Sequence, residues 1–109
     1  MNTATPIPAP SVLTQAHRDA MAYIQDLAIT ISQQSVFAVS AEYVGHTHEF
    51  SAHVLRFSEI IKGNFRAEKT LRTLLPSRIS WAGDNALEEL QTMARELETL
   101  LVTPDGGAL

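Results

Sequence analysis

SVFAVSAEYVGHTHEFSAHVLRF, residues 35–57, is the stretch that decides the fold of this chain. On both sides of the central GHTH, apolar and polar residues alternate and Val, Phe and Tyr are frequent, which is typical of β-strands. A four-residue loop at 45–48 joins the two halves into a predicted antiparallel hairpin. The register that this loop sets places three pairs on one face, which we predict to be the core side: Tyr43 with Phe50, Ala41 with Ala52, and Val39 with Val54.

The other face of the predicted hairpin is polar near the loop and apolar at its far end. At that end Ala38 lies opposite Leu55, and Val36 lies opposite Phe57. A two-stranded sheet is marginally stable alone, and two or three helices can cover only one of its faces. Unless the strands are buried on both sides there, these four residues form an interface, covered by the short middle helix, a second copy or another partner. A second copy is the commonest external solution, because a two-fold interface needs only one patch.

Amphipathic helices are predicted before and after the hairpin. In the first, apolar residues recur at helical spacing up to about Ser32, and Ser11 or Thr14 can cap its start. In the last, Asn85 and Glu88 have the spacing of a capping box, and a leucine-rich stripe follows them. Both helices can therefore bury one face against the hairpin.

The segment between the hairpin and the last helix allows two interpretations. We predict a short helix over residues 65–75, capped by Asn64 and ending before Pro76, and a third strand in the same stretch is the alternative. The predicted order is therefore α-β-β-α-α. This is an α+β fold of two layers, in which an antiparallel hairpin packs against two long amphipathic helices and one short helix.

Composition indicates a soluble globular protein. The chain has 109 residues, of which 45% are hydrophobic and 18% charged, which suits one domain with a core of its own. No apolar run approaches the roughly 18 residues of a membrane-spanning helix, so no membrane partner is expected. The chain has no cysteine, which excludes disulfides, thiolate zinc sites and a cysteine nucleophile and fits a reducing compartment.

Both ends of the chain differ in composition from the middle. Three of the five prolines lie in the first ten residues, and the end of the chain, TPDGGAL, combines a proline with two glycines. We therefore predict a flexible segment at 1–10, a single α+β domain over 11–102 and a flexible tail at 103–109. The start has neither a basic region nor an apolar stretch of the signal-peptide kind, and we expect a cytoplasmic protein.

Three of the four histidines lie close together in GHTHEFSAH, one residue away from the zinc-protease pattern H-E-x-x-H. His48 and His53 are five positions apart, which on a helix is roughly 140°. In a strand they lie on opposite faces, so neither geometry gives a zinc-protease site. A weaker hypothesis is a metal held by His46 and His48 with Glu49 or Glu42. We expect solvated loop histidines instead, and no cofactor.

The segment 62–78 is basic in a chain whose net charge is -4, because it carries five cations and one glutamate. On a helix, Arg66, Lys69 and Arg72 would form a stripe that could bind an anionic partner such as nucleic acid, with Arg78 beyond it. A solvated face balanced by the acidic last helix is the alternative. We favour that alternative, because nucleic-acid-binding modules are usually basic overall and this chain has a pI near 5.4.

The sequence contains no phosphate-binding loop, dinucleotide fingerprint or nucleophile elbow, and no catalytic residue is predicted. It therefore favours a small non-enzymatic protein in a regulatory or assembly role, which acts as a homodimer through the outer face of the hairpin. A nucleic-acid-binding accessory protein that uses residues 62–78 is the first alternative. A small metal-dependent protein with His46 and His48 at the hairpin loop is the second.

Overall fold

The computed structural model describes residues 13–76 and 85–102. Within these ranges the elements in chain order are α1 (Gln15–Gln33), β1 (Phe37–Val44), β2 (Glu49–Arg56), α2 (Phe57–Ile61), β3 (Lys69–Leu74) and α3 (Ala86–Glu98). The α+β fold with an antiparallel hairpin and two long helices is confirmed. The predicted flexible ends, 1–10 and 103–109, lie outside the described residues.

The hairpin of β1 and β2 has the predicted register. Val39 lies opposite Val54, and the pairing runs without a bulge from Phe37 opposite Arg56 to Val44 opposite Glu49. The alternating pattern fixes this register, because a shift of one residue would turn every buried side chain of β2 to the opposite face.

The middle segment is a strand, so the predicted helix at 65–75 is wrong and the alternative is right. β3 runs antiparallel to β2, which lies in the centre of a three-stranded sheet of order β1-β2-β3. Backbone hydrogen bonds to the hairpin continue beyond both ends of β3. Glu68 N donates to Val54 O at 2.7 Å, and Leu75 N donates to His48 O at 2.8 Å. These bonds to β2 outweigh the local helical spacing of the leucines.

The short helix exists, but it lies earlier in the chain than predicted. α2 starts at Phe57, directly after the last residue of β2, and spans only five residues. Its end is set by Gly63, whose φ of +88° lies in the left-handed region that glycine reaches without strain. The predicted second strand, extended to Phe57, is therefore one residue too long.

The core lies between the sheet and the two long helices, which both pack against the same side of the sheet and against each other. Its fully buried side chains include Ile24 and Ile31 of α1, Phe50, Ala52 and Val54 of β2, and Leu90 and Leu97 of α3. Burial of each large apolar side chain contributes about 1.5 to 3 kcal/mol. Tyr43 was predicted for this core but is exposed at its rim.

The two long helices begin differently. Thr14, one of the two predicted caps, accepts a hydrogen bond at its side chain from His17 N, and His17 Nδ1 accepts one from Thr14 N at 3.0 Å. The fourth histidine is thus part of a capping box. Asn85 is the N-cap of α3, but its side chain makes no capping hydrogen bond, so the capping box predicted with Glu88 does not form.

Away from the sheet, α1 and α3 are joined by a polar contact. The Tyr23 hydroxyl donates a hydrogen bond to the Glu98 carboxylate. This bond raises the pKa of Tyr23, because the phenolate would lose the bond and face a negative charge. In the described ranges, neither helix is long and apolar enough to cross a membrane.

Candidate functional site

One side of the sheet faces away from α1 and α3, and we call it the outer face. Because side chains alternate along a strand, every second residue of each strand lies on it. These residues are Ala38, Ser40, Glu42 and Val44 on β1, Glu49, Ser51, His53 and Leu55 on β2, and Thr70, Arg72 and Leu74 on β3. The outer face therefore comprises eleven residues, which are polar at its centre and include apolar side chains at both ends.

The strand registers align the centre of the outer face into rows that cross all three strands. The two central rows are Glu42–Ser51–Arg72 and Ser40–His53–Thr70. Ser51 is only 5% exposed, although it lies on the side away from the helices. His53 Nδ1 lies 3.2 Å from Thr70 Oγ1. Three of the six side chains in these rows are short, so another surface could approach the backbone closely at Ser40, Ser51 and Thr70.

The charges of the outer face are only partly paired. Glu42 is exposed, and among the described residues it has no ion-pair partner. Arg72 is exposed as well, and its Nε lies 3.3 Å from a carboxylate oxygen of the more buried Glu49. The row Glu42–Ser51–Arg72 therefore carries a free carboxylate at its β1 end and a guanidinium with unused donors at its β3 end.

The predicted interface residues lie at one end of the outer face. Ala38 and Leu55 face each other and are half-buried, as the register requires. Val36 precedes β1 and is 41% exposed, while Phe57 opens α2 instead of continuing the strand. The backbone still links these two, since Phe57 N donates to Val36 O at 3.1 Å. The four residues are thus brought to one end of the sheet, but only Ala38 and Leu55 belong to its flat surface.

A second apolar patch lies at the opposite end, where sequence reasoning found none. Leu74 of β3 is 49% exposed and shares a row with Val44 of β1. The predicted helix over residues 65–75 gave Leu74 no place on the sheet, which is why sequence reasoning missed this patch. The alternation of Leu71, Thr73 and Leu75, which are all turned inward, is the signal that could have placed it.

The hairpin loop does not assemble a metal centre from the residues proposed for one. His46 is exposed, and His48 Nδ1 lies 3.4 Å from the hydroxyl of Tyr43. The carboxylate of Glu49 is turned to Arg72 and accepts a hydrogen bond from Thr47 Oγ1 at 3.1 Å. Within residues 13–76 and 85–102, no three His, Cys, Asp or Glu side chains form a group that could hold a metal ion.

The basic segment does not form the single stripe that a helix would give. Lys69 and Arg72 are three positions apart on a strand, so they lie on opposite faces of the sheet. Lys69 Nζ lies 2.7 Å from the Glu96 carboxylate of α3, and Arg66 is exposed in the loop before β3. Arg78 lies outside the described residues. Both described strand cations therefore have a carboxylate neighbour in the same chain.

The end of α2 and the loop that follows it expose two large apolar side chains, Ile61 at 85% and Phe65 at 69%. The loop is internally bonded: Asn64 N donates to Glu59 O at 2.9 Å, and Asn64 Nδ2 donates to the Glu59 carboxylate at 3.2 Å. The second bond, together with the nearby Lys62, lowers the pKa of Glu59. Phe65 is thus exposed on an internally bonded loop, which follows the exposed end of α2 at Ile61.

Chemically, the outer face offers ion pairs, hydroxyl groups and small apolar patches to a flat partner. Its one imidazole, His53, has hydroxyl neighbours in its row and no carboxylate there. No protein-family model, no curated protein and no solved structure matches this chain.

Proposed function

We propose that this protein is a small non-enzymatic interaction protein, in a regulatory or assembly role, that acts as a homodimer through the outer face. The observation that supports this most is the one-sided packing of the sheet. Both long helices lie against one side, and Leu55, Ala38, Leu74 and Val44 remain on the other. Apolar side chains at both ends of an otherwise polar, flat surface are favourable anchors for a second protein surface.

Association through the face is more favourable than association through the β1 edge. The backbone N–H and C=O of Val39 point away from β2, and both are already hydrogen-bonded to the side chain of Ser32 in α1. Val39 N donates to Ser32 Oγ at 2.9 Å, and Ser32 Oγ donates to Val39 O at 3.3 Å. A strand added at this edge would have to displace that hydroxyl, so α1 protects the edge in the way that natural sheets commonly do.

The nucleic-acid alternative has one favourable observation, the exposed Phe65 beside Arg66, which could stack on a base and contact a phosphate. Against it, Lys69 and Arg72 lie on opposite faces and each has a carboxylate neighbour. We therefore rank it second, and the metal-dependent alternative at His46 and His48 third. We also place the protein in the cytoplasm, since a chain without cysteine fits a reducing compartment.

The test of this function is the mass of the full chain in solution. Size-exclusion chromatography with light scattering over a range of protein concentrations should give about twice the monomer mass of 11.9 kDa. A mass of one chain at the highest concentration would contradict the proposal. Binding of a labelled oligonucleotide that weakens steeply with salt would favour the second function instead.

A further inference from the structure

We infer that the two copies meet about a two-fold axis that runs along β2, so that Glu42 of each copy pairs with Arg72 of the other. This inference rests on the homodimer proposed above and specifies its geometry. It follows from the order of charges in one row of the outer face, together with the symmetry that two identical surfaces must obey.

When two identical sheets pack face to face, their two-fold axis lies in the plane between them. An axis along β2 places β2 over β2 and places β1 of one copy over β3 of the other. Each row then lies over its own copy in reverse order. The row Glu42–Ser51–Arg72 consequently brings a carboxylate over a guanidinium twice, with Ser51 over its own counterpart.

The unused hydrogen-bond acceptors of Glu42 and the unused donors of Arg72 fit this pairing. Glu42 has no ion-pair partner among the described residues, whereas Arg72 contacts Glu49 through Nε. A guanidinium carries five N–H donors, so the terminal nitrogens of Arg72 can still bind a second carboxylate. Glu42 of the partner subunit would complete a carboxylate–guanidinium–carboxylate chain across the interface.

The remaining rows are compatible with the same axis. Ser40 lies over Thr70 of the partner subunit and Val44 over Leu74 of the partner subunit, whereas Leu55, His53 and Glu49 each lie over their own counterparts. The two Glu49 carboxylates face each other near the axis, and each lies beside Arg72 of its own chain, whose guanidinium offsets the like charge. Aligned sheets cross at about 30°. Because β1 and β3 lie some 5 Å from the axis, this crossing displaces each of them by roughly 2 to 3 Å relative to the strand that it faces. Glutamate and arginine side chains are long enough to span that displacement.

The other in-plane axis, which runs across the strands, is less favourable. It places β1 over β1, so that an axis through the row of His53 brings Glu42 over Ala38 of the partner subunit. A carboxylate buried against an apolar residue without a cation is strongly unfavourable. Of these two axes, the one along β2 places Glu42 over an arginine, and the one across the strands does not.

The inference can be tested with two charge reversals, Glu42→Arg and Arg72→Glu. Alone, each variant places like charges over each other at both symmetric contacts, so self-association should weaken by about tenfold or more. Mixed in equal amounts, the two variants have complementary charges at both contacts. They should form a heterodimer with an affinity within about threefold of the wild type, as should a homodimer of the double variant.

The matched control is Asp26→Arg, which makes the same change of charge at an exposed position of α1. It should leave self-association unchanged. Mass and affinity are measured by light scattering and analytical ultracentrifugation, with circular dichroism to verify the fold. If Arg72→Glu does not fold because its new carboxylate lies beside Glu49, the variant that also carries Glu49→Gln replaces it.

The outcomes separate the axis from the dimer itself. A wild-type dimer that tolerates Glu42→Arg, or reversed variants that do not pair when mixed, would overturn the axis along β2 and leave the homodimer standing. A wild-type monomer would overturn both. Loss of association in each single variant with recovery in the mixture supports the pairing of Glu42 with Arg72.

Discussion

The two faces of the sheet are built from the same three strands, yet different physical requirements determine which side chains stand on each face. On the core face, Phe50, Ala52 and Val54 of β2 are at most 1% exposed and belong to one core cluster with residues of α1 and α3. On the outer face, the intervening residues of the same strand include His53 and Leu55, which stay partly exposed. The comparison indicates that packing selects the residues of one face, and that the other face is free to carry an interaction.

Replacing a residue of the core face with a charge should have the largest effect. Val54→Glu places a carboxylate at a position that is 1% exposed, and the cation opposite it on β3, Lys69, is already paired with Glu96 of α3. An unpaired buried charge costs several kcal/mol, which is a large part of the 5 to 15 kcal/mol that stabilise a typical domain. We expect loss of the folded state, seen as a collapsed thermal transition in circular dichroism.

The same substitution one residue further along the strand should act on association. Leu55→Glu changes the outer face, where water can reach the new carboxylate in a monomer, so the far-ultraviolet spectrum should stay native. In a dimer, Leu55 lies over its own counterpart, and two buried carboxylates would oppose each other strongly. We expect a folded species of one-chain mass by light scattering.

Two results would contradict the distinction between Val54 as a core residue and Leu55 as an interface residue. Unfolding of Leu55→Glu would mean that Leu55 belongs to the core of the monomer. A folded Leu55→Glu protein with an unchanged dimer mass would place the interface elsewhere. Phe57 is left unchanged here, because it lies in α2 and its loss could also affect that helix.

The sequence predicted the hairpin well because its register depends on local alternation. Val39 opposite Val54 and the predicted cap at Thr14 follow from neighbouring residues and are confirmed. The apolar end at Ala38 and Leu55 could be located in the same way. For these features, the residues that decide the structure are close together in the chain.

The error at 65–75 has a different physical origin. Leu71, Leu74 and Leu75 have helical spacing, whereas Leu71, Thr73 and Leu75 alternate as in a strand, so the local pattern fits both. Backbone bonds to β2, a partner about twenty residues away in sequence, decide in favour of the strand. With Arg72 assigned to a helix, its place in one row with Glu42 could not be predicted.

A smaller effect is expected from the polar residue that β3 contributes to the core face. Thr73 is 2% exposed, and its hydroxyl makes no hydrogen bond with any other residue in the described part of the chain. A buried, unsatisfied hydroxyl is unfavourable, so Thr73→Val should raise the free energy of unfolding by about 1 kcal/mol. Urea denaturation at fixed protein concentration would measure it.

Thr30→Val is the control, since it makes the same change at an exposed position of α1, away from the outer face. There the free energy of unfolding should change by less than about 0.5 kcal/mol. Equal stabilisation by both substitutions would show that burial is not responsible. Destabilisation by Thr73→Val would mean that the hydroxyl is bonded in solution.

The smallest effect is expected at the hairpin loop, which belongs to neither face. His46 is exposed, and His48 has a φ of +54°, a left-handed conformation that alanine tolerates no better than histidine. The double variant His46→Ala with His48→Ala should therefore change the free energy of unfolding by less than about 0.5 kcal/mol. Metal analysis of protein purified without a histidine tag should give the same zinc content for both proteins. Stoichiometric zinc in the wild type that disappears in the double variant would establish the metal site and make this loop, instead of the outer face, the first place to look for function.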